Sequence, residues 1–205
     1  MKKSGILLSV AAAFMLFAAA PSKPLIRVEL SGIRGEITLK ESAADSRLKL
    51  DSSRALKEKR AFFIRVMGKT DPSGKWTLHE ISFTPDKYGE VELCLRGTQT
   101  RGNKVVWTWY DKFEIEGANH YNPSFEKISG KTIRQWESYP WHVRAGVSGA
   151  PDGKNVGAAT HDFSLKQVLS VCKDKKITIR FMARAGETAA RPDFNIKSTK
   201  KEAMI

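Results

Sequence analysis

Alternation of apolar and polar residues with a period of two runs through this chain and limits what it can become. Ile26, Val28 and Leu30 alternate with polar neighbours, as do Ile37 and Leu39, Leu48 and Leu50, then Val91, Leu93 and Leu95. Successive side chains of a strand point to opposite faces, so each run predicts a strand with one face on a core. Turn-forming residues fall between the runs: Ser31-Gly32, Asp71-Pro72-Ser73-Gly74, Thr84-Pro85-Asp86 with Gly89, and Gly97 to Gly102. Few stretches sustain a helical period, although Ser164 to Val171 fits a short helix or a strand. The fold class expected is all-β, an antiparallel β-sandwich. With 41% hydrophobic residues the chain has material for a core, which excludes disorder over its whole length.

Val105 to Glu116 is the clearest strand. Strict alternation puts Trp107, Trp109, Asp111, Phe113 and Ile115 on one face and Thr108, Tyr110, Lys112, Glu114 and Glu116 on the other. A carboxylate on an aromatic face, if buried, must be hydrogen-bonded, paired or metal-bound. Asp111 is therefore a candidate site residue.

The segment Ile64-Arg65-Val66-Met67 returns as Ile179-Arg180-Phe181-Met182, each preceded by a basic lead, Lys57 to Arg60 and Lys173 to Lys176. The spacing suits two related sandwich units. It places a boundary near Gly117 to His120, giving a β-sandwich domain over 24–118 and a second over 119–205. The second has too little chain after its copy of the repeat and is expected to be incomplete. Either strands of the first unit finish it, or an exposed edge seeks a partner strand.

At the N-terminus Lys2 and Lys3 precede an apolar run, Ile6 to Phe17, and then Ala18-Ala19-Ala20. This reads as a signal peptide over 1–20 and an exported protein, periplasmic or extracellular. The apolar run is shorter than a span needs, and the mature chain has no membrane-spanning stretch. An oxidising compartment permits a bridge between Cys94 and Cys172, but their places in different halves of the chain favour two separate thiols on strand faces.

Tyr121-Asn122-Pro123-Ser124-Phe125-Glu126, then Trp136, Asp152-Gly153-Lys154-Asn155-Val156-Gly157, Gln167-Val168-Leu169 and Ile177 to Ala185 form a connected set of motifs. The set resembles the front half of a carbohydrate-binding module with the galactose-binding-like jelly-roll fold. Trp76, Ile81 to Asp86, Gly89 to Leu93 and Tyr110 to Ile115 resemble its back half. The first unit lacks the Asn-x-x-Phe-Glu opening strand and the second lacks the closing Asp strand. A back half before a front half also permits one circularly rearranged sandwich. The resemblance implies a jelly-roll and a sugar-binding role. It also implies a structural calcium held by residues matching the closing and opening strands, Asp111 and Glu126.

Sugar recognition needs aromatic faces against pyranose C–H groups and planar polar groups for hydroxyls. Trp136, Tyr139, Trp141 and His142, with Arg134 and Arg144, supply both in a turn-rich segment broken by Pro140. These are the candidate ligand-binding residues. Catalytic patterns are missing. The histidines at 79, 120, 142 and 161 have no close metal-ligand spacing, and Ser148 lacks the glycine spacing of a nucleophile elbow. Neither reading of the chain is an enzyme. The net charge of +13 suits an acidic glycan better than nucleic acid once export is expected. The function expected is non-catalytic binding of a polysaccharide or glycan, with acidic glycans preferred. The alternative is a structural or adhesive envelope protein that uses the sandwich as an interaction scaffold through an edge strand.

Overall fold

The computed structural model describes residues 25–51 and 62–192. The expected signal peptide, the Lys57 to Arg60 lead and the chain after Pro192 lie outside the described residues. The alternating runs form two antiparallel sheets. The first has the order β12 (Leu165–Val171), β6 (Gly89–Arg96), β1 (Leu25–Arg34), β4 (Phe63–Lys69), β3 (Leu48–Leu50). The second runs β10 (Val143–Arg144), β11 (Val156–Ala159), β7 (Lys104–Glu116), β13 (Ile177–Ala190), β5 (Thr77–Pro85), β2 (Leu39–Ala44). A small hairpin joins β8 (Ile128–Ser129) to β9 (Thr132–Ile133).

The sheets face each other across one core. Val28, Val66 and Leu93 of the first sheet, all but inaccessible, belong to the same cluster as Phe83, Tyr110 and Phe181 of the second. Tyr110 also ties the sheets by hydrogen bonds: its hydroxyl donates to the Arg96 carbonyl and accepts from the Arg27 amide. Phe113 stacks on Phe181 with centroids 5.4 Å apart. Burying such a ring contributes roughly 1.5–3 kcal/mol, so this centre is where much of the stability resides.

Two expectations about organisation change. Strands from both sides of Gly117 to His120 share both sheets, since β12 pairs with β6, and β13 lies between β7 and β5. The division into 24–118 and 119–205 is therefore not the way the strands group. The two Ile-Arg-x-Met segments sit in β4 and β13, one in each sheet of the same sandwich. Their common pattern is the shared demand of central strands for inward Ile and outward Arg. Ser164 to Val171 resolves as strand β12, not helix. Cys94 and Cys172 are both free thiols, the first buried and the second exposed.

Strict alternation also fails once in β7. Between Asp111 and Glu114 two residues oppose Phe181 alone, and Lys112 has φ 49°. This bulge reverses the phase of the strand. Before it Tyr110 points inward; after it Phe113 and Ile115 do. Trp107, Trp109 and Asp111 are consequently on the outer side of the second sheet, away from Phe113 and Ile115, against the single face expected. A second bulge, Gly186-Glu187 opposite Trp107, lies farther along β13.

Candidate functional site

The outer side of the second sheet carries its own apolar cluster of Val105, Trp107, Ala158 and Phe163, with Trp109 and Trp141 packed against it. The pairing register places Arg184 of β13 opposite Trp109 of β7, and Ala158 of β11 on the far side of Trp109. Ala183, next to Arg184, is inaccessible in the core, so Arg184 projects outward. Its guanidinium carbon lies 4.5 Å from the Trp109 ring centroid and 4.9 Å from that of Trp76. Trp109 closes over Gly186, where a β-carbon would collide with the indole nitrogen. A side chain at 186 would displace the ring, which is the local reason for glycine in that bulge.

From Trp109 the contacts continue across the face. The Trp109 indole N–H donates to Glu187 Oε2 at 2.7 Å, and Arg144 Nε donates to Glu187 Oε1 at 2.5 Å. Arg144 in turn covers Trp107 at 4.7 Å and donates to the Trp141 carbonyl at 2.7 Å. Tyr139 stacks on Trp141 with centroids 4.9 Å apart and an angle of 7°. The result is a continuous band of indole, guanidinium and phenol groups across β5, β13, β7 and the turn at Pro140–His142. The indole N–H groups of Trp76, Trp107 and Trp141 have no hydrogen-bond acceptor among the described residues.

The expected ligand-binding residues divide. Tyr139, Trp141 and Arg144 lie in this band. Trp136 does not: it is 5% exposed, packs on Phe125 at 5.0 Å and Phe113 at 5.7 Å, and donates its indole N–H to the Asn122 carbonyl. It belongs to the core between the sheets. His142 is also buried, with 0% exposure. The Tyr139 amide donates to His142 Nδ1 at 2.9 Å, which leaves the ring proton on Nε2. Burial pushes the imidazole down to about 3, so His142 is a neutral support for the aromatic turn. Arg134 is exposed beyond β9, and among the described residues its side chain meets none of the band. Trp76, Trp109, Arg184 and Glu187 are not singled out for this face by the sequence; Trp107, at 1% exposure, is buried beneath it. The period-two pattern of β7 pointed to Trp107 and Trp109, but it took the bulge to put them outside.

Asp111 and Glu126 do come close, through a turn. Asp111 is inaccessible; its Oδ1 accepts from the Lys112 amide at 2.7 Å and its Oδ2 from the Asp152 amide at 3.0 Å. Glu126 Oε1 accepts from the Lys154 and Asn155 amides at 2.8 and 2.6 Å, and Oε2 from Asn155 Nδ2 at 3.1 Å. Gly153 fits because a β-carbon there would run into the Glu126 carboxyl. Calcium asks for six to eight oxygens, carbonyls among them. The contacts made by both carboxylates are N–H donors of the 152–155 turn, the Asn155 side chain and the Lys112 amide, so the hydrogen bonds of this turn already satisfy them in part without a metal ion. Among the described residues no group of three or more His, Cys, Asp or Glu is placed to hold a metal ion. Burial, with Asp152 and Glu126 adding repulsion, raises Asp111 to about 6 against the pull of its two amide donors.

Asn122 and Phe125, read as part of an opening strand, stand in a turn with φ 49° and 59°. The Asn122 side chain bonds the Lys127 amide and carbonyl and the Arg134 carbonyl, pinning the β8–β9 hairpin. Gln167 likewise ties Tyr121 and Gln135 to β12. No helix among the described residues is long and apolar enough to cross a membrane. No protein-family model, curated protein or solved structure matches the chain.

Proposed function

We propose that this chain is a non-catalytic glycan-binding protein that takes a polysaccharide along the outer side of its second sheet. One observation carries the reading: of the five tryptophans, Trp76, Trp107, Trp109 and Trp141 gather on that side, interleaved with Arg144, Arg184 and Glu187. The half-buried rings of Trp76, Trp109, Tyr139 and Trp141 offer apolar surface to sugar C–H faces and the guanidinium and carboxylate groups suit hydroxyls, while Trp107, 1% exposed, supports the face from beneath. The half-buried Tyr139–Trp141 pair, held rigidly by neutral His142, is the aromatic end of the platform. The motif resemblance to a galactose-binding-like carbohydrate-binding module and the signal-like N-terminus point the same way, toward an exported protein.

A glycan-array screen of the chain from Pro21 onward, with neutral and acidic polysaccharides at two salt concentrations, tests the reading. Salt-resistant binding to a defined glycan supports it. A folded protein that binds no glycan contradicts it. The scaffold reading draws on β2, an edge strand paired on one side only and exposed along Lys40 to Ala43. It predicts concentration-dependent oligomers abolished by Ser42→Pro, measured by sedimentation.

A further inference from the structure

Arginines on the strands of this sandwich are paired with acids. Among the described residues Arg27, Arg65 and Arg96 converge on Glu29 at 2.7 to 3.2 Å, and Arg180 reaches both Glu80 and Glu116. Arg144 meets Glu187 at 2.5 Å, and even exposed Arg34 meets Glu90 at 3.4 Å. Arg184 differs. It is half-buried on the sheet, clamped between two indoles, and among the described residues it has neither a carboxylate nor a hydrogen-bond acceptor. Its Nε is buried without a partner, and desolvation alone acts on its ionisation, with no acidic group offsetting it. Glu187, the acid bonded to Trp109, is already shared with Arg144.

A guanidinium held in this way has lost its rotamer freedom and part of its water before any ligand arrives. Its terminal N–H groups form a planar fork that matches a carboxylate by two parallel hydrogen bonds. The flanking rings fix the plane of the fork and supply apolar surface for the sugar ring that bears the carboxylate. We propose that Arg184, between Trp76 and Trp109, is the anion subsite of this face and selects glycans that carry a uronate carboxylate. The proposal rests on the glycan-binding reading and adds to it the class of sugar and the residue that recognises it.

Methyl esterification removes the charge of a galacturonate unit and little else, so oligogalacturonate and its methyl ester form the test pair. The wild-type chain should bind the free acid about tenfold more tightly than the ester, the scale of one charge-assisted pair. Arg184→Gln should bind both equally, at the ester's affinity, and Arg184→Lys should recover only part of the preference because it lacks the fork. Circular dichroism and thermal unfolding establish that each variant is folded. A preference that survives in folded Arg184→Gln overturns the subsite while leaving glycan binding intact. A wild-type chain that binds only neutral glycans, or both members of the pair equally, does the same. Free galacturonate separates the two claims further. Should no oligosaccharide bind, yet the monosaccharide quench tryptophan fluorescence in the wild type and not in Arg184→Gln, the subsite stands and the polysaccharide reading falls. No response to either ligand removes both.

Discussion

Replacing His142 by Asn tests the claim that this imidazole is structural. Its Nδ1 accepts from the Tyr139 amide, and an Asn Oδ1 takes over that role while removing the titratable group. In the folded chain burial holds the imidazole near 3, against an ordinary value of 6.5. The unfolded chain therefore takes up a proton that the folded chain refuses as pH falls below the ordinary value. The stability owed to neutral His142 is present at pH 7 and is lost on acidification toward pH 3. Linkage gives a loss of about 2 kcal/mol between pH 7 and pH 5 from this one group. His79, pushed down to about 4 by burial and the Arg47 charge, adds a loss of the same sign. Asp111 acts oppositely: it stays protonated in the folded state at pH values where the unfolded carboxyl has ionised, and it offsets about 1 kcal/mol over the same interval. The wild-type curve thus mixes signs, and the difference between wild type and His142→Asn isolates the imidazole's share. Urea unfolding of both proteins at pH 7, 6 and 5 should show the gap between them shift by about 2 kcal/mol in favour of the variant on going to pH 5. A gap that does not move with pH refutes the buried neutral imidazole.

Other perturbations separate core from face. Trp136→Ala should cost about 3–5 kcal/mol in chemical denaturation, because it empties a site between Phe113 and Phe125. Trp141→Ala should leave the protein folded and weaken glycan binding, read by affinity electrophoresis. Gly186→Ala drives a methyl group into Trp109 and breaks its bond to Glu187; a loss of about 1–3 kcal/mol and a shifted Trp109 indole resonance are expected. The Asp111 carboxyl carbon, followed by NMR, should titrate with a midpoint near 6, well above an exposed Asp.

The sandwich was legible because period two is a local property. Val91, Leu93 and Leu95 fell inward as their alternation required, and in β7 the pattern broke where the backbone itself departs from a regular strand. The order of the motifs allowed one rearranged sandwich with strands shared between the two halves, but the particular pairings were not legible, since β12 and β13 find partners far back in the chain and no local signal records that. Nor was the phase change in β7. Lys112 carries no glycine-like signal for its positive φ, yet that single residue moves Trp109 and Phe113 to opposite sides of a sheet. The aromatic turn was identified from composition, which detects rings but not their depth. Trp141 and Tyr139 stayed near the surface, whereas Trp136 and His142 became core and support. Arg184 was overlooked for a related reason: its lack of an acid partner is a property of several strands taken together.

Five indole N–H resonances make the most direct test of the glycan-binding face. Titration of the isotopically labelled protein with a bound oligosaccharide should move the Trp76, Trp109 and Trp141 signals, which belong to half-buried side chains of the outer face, and leave core Trp136 unmoved. Saturable shifts confined to that set are the predicted result. Shifts at Trp136 alone, or saturable binding that leaves all five signals in place, would contradict the account.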